Sequence, residues 1–116
     1  MMTRSSIMTE LMSVIAKRKA NSQAETSYVA SLMAGGVPRI GAKIVEEASE
    51  VAEAGNESGE PGRSHLVREV ADLVFHCMVL LGYYDLHWDD VEAELSRRAG
   101  TSGLEEKLAR KRPETA

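Results

Sequence analysis

Apolar residues recur through the middle of the chain at intervals of three and four: Leu66, Val70, Leu73, Val74, Cys77, Leu80, Leu81 and Tyr84. At 3.6 residues per turn this spacing puts them on one side of a long helix over about residues 64–84. The alternation that a half-buried strand needs is missing from this stretch. So wide an apolar face must be covered, and the rest of the chain has to supply the helices that cover it.

Those helices are marked out by Gly, Pro and capping residues. Ile7, Leu11, Val14 and Ile15 share one face of a helix running to about Ala20. Thr26 or Ser27 can cap a short second helix carrying Tyr28, Leu32 and Met33, which Gly35 and Gly36 end. Pro38 suits the start of a third helix over about residues 37–54, where Ile40, Ile44, Ala48 and Val51 form the apolar stripe. Residues 55–62 combine turn formers without apolar periodicity and predict a mobile loop before the long fourth helix. A fifth helix begins near Trp88, carries Asp89 and Asp90 in its first turn and stops at Gly100. Residues 104–110 can add a short helix, and residues 111–116 form a flexible tail. The reading is all-α: a single domain over residues 1–116, with about five helices in an antiparallel bundle that dimerisation completes.

Composition agrees with helix over sheet. Only 4% of the 116 residues are aromatic, while Met, Leu, Ala and Glu are plentiful. The single cysteine, Cys77, excludes an internal disulfide and fits a reducing compartment. The apolar run at residues 70–81 is broken by Asp72 and His76, so no membrane span is expected. Residues 1–10 lack the core of a signal peptide, which makes the cytoplasm the expected location. A net charge of −4 argues against a nucleic-acid partner.

The chemistry concentrates in two acidic signatures. Glu46, Glu47 and Glu50 lie on the third helix with Lys43 one turn earlier; Glu69 and Asp72 lie on the fourth. Residues three or four apart project from neighbouring points of one face, and antiparallel packing of the two helices would bring both acidic faces together. Carboxylates so crowded repel one another, and hard oxygen donors favour magnesium, with manganese as a substitute. The alternative for either motif alone is a solvated helix face paired with Lys43 or Arg68. His76, one turn beyond Asp72 and off the buried face, reads as an orienting group or as a hydrogen-bonded structural histidine. Tyr28 reads as a substrate contact or as a core ring with its polar edge exposed.

These residues resemble the phosphoribosyl-ATP pyrophosphohydrolase family, a branch of the all-α NTP pyrophosphohydrolase superfamily. The superfamily component is the E-x-x-E and E-x-x-D pair, here Glu47 with Glu50 and Glu69 with Asp72. Four segments carry the narrower likeness, and in the expected order: residues 27–32, 43–48, 71–76 and 100–107. Ser31 departs from it, standing where many relatives carry lysine, and the loop after Ala54 is longer than in compact relatives.

The resemblance implies magnesium-dependent hydrolysis of phosphoribosyl-ATP between its α- and β-phosphates, giving phosphoribosyl-AMP and pyrophosphate in histidine biosynthesis. It implies metal ligation by Glu47, Glu50, Glu69 and Asp72, with Glu46 as a further ligand or the base. Lys43, Tyr28, His76 and Lys107 are the candidate substrate contacts, and a homodimer is expected. Two other readings compete: hydrolysis of another nucleoside triphosphate on the same acidic helices, and a noncatalytic, metal-binding helical dimer.

Overall fold

Ser27 opens the helical hairpin that carries the site. Its backbone is extended and its hydroxyl accepts the Ala30 N–H at 3.1 Å, satisfying one of the amides that a helix start leaves unpaired. The computed structural model describes residues 6–21 and 27–99. These form four helices: α1 (Ile7–Asn21), α2 (Tyr28–Ala54), α3 (Gly59–Tyr83) and α4 (Trp88–Ala99). The described residues contain no strand, and the fold is all-α as expected.

Among the described residues there are four helices where about five were predicted: the second and third predicted helices follow each other without a loop as the two arms of α2, which breaks at Gly36 as their predicted boundary required. There φ is 72° and ψ −167°, a conformation open to glycine and strained for any other residue. Side-chain contacts follow the break. Tyr28 meets His76, Gly36 lies beside the Tyr83 hydroxyl, and Glu47 meets Glu69. Residues 28–35 therefore advance along α3, and residues 37–54 return antiparallel to it.

The predicted loop is also shorter than expected. Only residues 55–58 are non-helical, and residues 59–62 form the first turn of α3, which accommodates Pro61 and gains from Glu60 at the positive end of the helix. The other end of α3 closes with Asp85 in the left-handed region at φ 60°. The Asp85 and Leu86 amides donate back to the Gly82 and Leu81 carbonyls. Lys19, from α1, donates to the Gly82 and Tyr83 carbonyls and to the Asp85 carboxylate, pinning α1 to this terminus. His87 caps α4: its Nδ1 accepts the Asp89 amide and its own amide donates to the Asp90 carboxylate.

The core joins Met12 and Ile15 of α1, Val29, Leu32 and Ile40 of α2, and Met78 and Val79 of α3, with Trp88 of α4 packed against it. Full burial of a side chain of this size contributes about 1.5–3 kcal/mol. Val14, Val70 and Tyr84, assigned to apolar faces from their spacing, are exposed. They extend the apolar surface outward instead of filling the core. His76 is the reverse case: expected off the buried face, it is 5% exposed.

Candidate active site

The return arm of α2 and the first half of α3 bring Glu47, Glu50 and Glu69 together. One carboxylate oxygen from each lies within 4.8 Å of the others. Glu47 is 6% exposed, and its Oε1 and the Oε1 of Glu69 are buried without a hydrogen-bond partner. Carboxylate oxygens stripped of water and left unpaired are costly, so the cluster calls for a proton or a cation. Burial, followed by hydrogen bonding with Glu69 and the nearby charges of Glu50 and Asp72, pushes the Glu47 carboxyl up to about 7. Hydrogen bonding with Glu69 likewise raises Glu50. Glu69 moves the other way, lowered by its bond with Glu50, by Glu47 and by His65. Three converging oxygen donors with two orphaned buried oxygens fit a hard divalent cation.

The other predicted site residues surround this group without joining it. Asp72 is exposed and lies outside the converging three, although its charge acts on Glu47. Glu46 lies outside the converging three and accepts a bond from Lys43 at 3.2 Å. That bond is the main reason the Lys43 ammonium is raised above its ordinary range. His76 has both ring nitrogens engaged. Nδ1 donates to the Asp72 carbonyl at 2.8 Å, so Nε2 is left to accept the Tyr28 hydroxyl at 2.7 Å. Tyr28 itself is 48% exposed, stacked on Phe75 and close enough to Lys43 to influence it. Lys107 and the segment at residues 100–107 lie outside the described residues.

Two residues escaped the sequence reading. His65 bonds both Glu57 oxygens through Nδ1, at 3.1 and 3.0 Å, and Glu69 Oε2 through Nε2 at 3.1 Å. Glu57 is the main cause of a raised His65 pKa. The signal for His65 was present, four residues before Glu69 and so on the same helix face. Glu57 gave none, because it belongs to the connection, where no periodicity predicts direction.

Known proteins resemble this chain over most of its length. The family profile described as phosphoribosyl-ATP pyrophosphohydrolase matches residues 8–99. A phosphoribosyl-ATP pyrophosphatase of Rhodopirellula baltica is 48% identical over 94 residues, covering 81% of this chain and 78% of its own. The corresponding protein of Geobacter metallireducens is 48% identical over 107 residues, with 92% and 94% covered. That of Chromobacterium violaceum is 52% identical over 96 residues, with 83% and 84% covered. With the profile matched over most of the chain and relatives about half identical to it over most of both lengths, the chain belongs to the phosphoribosyl-ATP pyrophosphohydrolase family.

Proposed function

We propose that this chain hydrolyses phosphoribosyl-ATP between the α- and β-phosphates, releasing phosphoribosyl-AMP and pyrophosphate, as a step of histidine biosynthesis. The observation that carries the reading is the convergence of the buried Glu47 with the half-buried Glu50 and Glu69, with two buried oxygens left unpartnered, inside the region matched by the family. The names of the relatives support the substrate.

Glu47, Glu50 and Glu69 would hold the divalent cation, magnesium by the hardness of the donors, with Asp72 at the edge of the set. When bound, such a cation neutralises charge on phosphate oxygens and acidifies water. Lys43, within reach of Glu47, and the half-exposed Tyr28 beside it are proposed to bind the phosphoribosyl and phosphate groups. His76, held by Asp72 and Tyr28, would act on substrate through Tyr28 by fixing its ring. The water oxygen bonds to phosphorus as the bridging P–O bond breaks and pyrophosphate departs. Glu46, outside the converging three and bonded by Lys43, is proposed as the base that accepts the water proton.

No helix among the described residues is long and apolar enough to cross a membrane. A cytoplasmic location is the finer proposal, as is a single domain spanning residues 1–116. A homodimer is supported by apolar residues left uncovered along and just beyond α3: Val67, Val70, Tyr84 and Leu86. Sedimentation at micromolar concentration should give twice the chain mass, and a monomer would reject the dimer. Product analysis tests the reaction: equimolar phosphoribosyl-AMP and pyrophosphate are expected, whereas orthophosphate would reject cleavage at the α–β bond.

A further inference from the structure

The connection between α2 and α3 is held unusually close to the helix it precedes. A Cβ on Gly62 would lie 2.9 Å from both the carbonyl carbon and the Cβ of Glu57, so a side chain there would push the connection away. With glycine at 62, Glu57 reaches His65 and takes Nδ1 with both carboxylate oxygens. The other ring nitrogen meets Glu69 Oε2 at 3.1 Å. The imidazole is therefore clamped at both ends, and one oxygen of Glu69 is fixed by it. The remaining oxygen, Oε1, is the buried one without a partner.

We propose that His65, anchored by Glu57, is a positioning residue that fixes the Glu69 carboxylate so that its free oxygen is presented to a divalent cation shared with Glu47 and Glu50. The inference rests on the metal-site reading given above. Without the clamp, the Glu69 side chain regains rotamers that turn Oε1 from its neighbours, and each binding event must freeze them again. Loss of such a supporting contact typically weakens metal binding about 10- to 100-fold. The residue acts through Glu69 and needs no contact with substrate.

The test is Mn2+ binding to the full chain without nucleotide, read by electron paramagnetic resonance, for wild type, His65→Ala, His65→Gln and Glu57→Ala. His65 and Glu57 are partly exposed, and thermal unfolding of each variant checks that it is folded. The expected result is at least about tenfold weaker binding for His65→Ala. Partial recovery is expected in His65→Gln, whose amide can still donate to Glu69, and a smaller loss in Glu57→Ala. Unchanged or tighter binding in folded His65→Ala overturns the positioning role while leaving the three-carboxylate site standing. Failure of the wild type to bind Mn2+ overturns the site and this role together.

Discussion

The Tyr28 hydroxyl donates to His76 Nε2 across 2.7 Å, tying the first turn of α2 to the buried side of α3. With Nδ1 committed to the Asp72 carbonyl, Nε2 is the acceptor that the Tyr28 hydroxyl satisfies. Tyr28→Phe keeps the stacking on Phe75 but strands a buried nitrogen. A loss of about 1 kcal/mol is expected, lowering the melting temperature by about 4–8 °C. Scanning calorimetry checks it, and a rise in KM for phosphoribosyl-ATP beyond the change in kcat would mark the hydroxyl as a substrate contact.

Glu47→Gln separates stability from catalysis. The amide fills the same space without an ionisable group, so the metal-free variant should unfold at the same or a higher temperature than wild type at alkaline pH. Its turnover should fall by at least about 100-fold, the upper end of the loss seen for residues that merely support a metal ligand. Turnover near the wild-type rate would remove Glu47 from the site.

The pH dependence of the metal-free protein follows from the same group. Glu47 titrates near 4.5 when unfolded and at about 7 in the fold, so the folded state binds its proton more tightly. Its contribution to stability is whole below about pH 4.5 and is lost as pH rises through about 7. The melting temperature should therefore fall more steeply across this window in wild type than in Glu47→Gln. Added Mg2+ should raise it more above pH 7 than below, because cation and proton compete for the same oxygens. Parallel profiles for the two proteins would contradict the burial argument.

Lys19→Met removes the ammonium that bonds the Gly82 and Tyr83 carbonyls at the end of α3 while retaining an apolar stem. The exposed pair with Asp85 adds little by itself. The expected cost is about 1 kcal/mol, with earlier loss of α1 amide protection in hydrogen exchange than of α3.

Much of this architecture was legible in the sequence because helix periodicity and capping are local. Ile7 to Ile15, Ile40 to Val51 and Leu66 to Leu81 read as helices from spacing alone, and α1, α4 and the end of α2 lie within a residue or two of expectation. Glu46, Glu47, Glu50, Glu69 and Asp72 read as one cluster because antiparallel packing could bring the two acidic motifs together, and three of the five, Glu47, Glu50 and Glu69, converge. What spacing cannot give is rotation of one helix against another. A small rotation of α3 puts His76 inside and leaves Val70 and Asp72 outside. The Gly36 break was visible as a stop, but the direction of the chain beyond it depended on contacts of Tyr28 and Glu47 with distant residues.

The Glu47, Glu50 and Glu69 cluster is proposed to serve phosphoribosyl-ATP in preference to other nucleotides. The most direct test is kcat/KM for pyrophosphate release with Mg2+, measured on phosphoribosyl-ATP and on a panel of ribo- and deoxyribonucleoside triphosphates. Metal-dependent release at least about 100-fold more efficient with phosphoribosyl-ATP is predicted, a discrimination of about 2.7 kcal/mol. Equal or faster turnover of another triphosphate would contradict the substrate assignment, and no release from any of them would favour a noncatalytic helical protein.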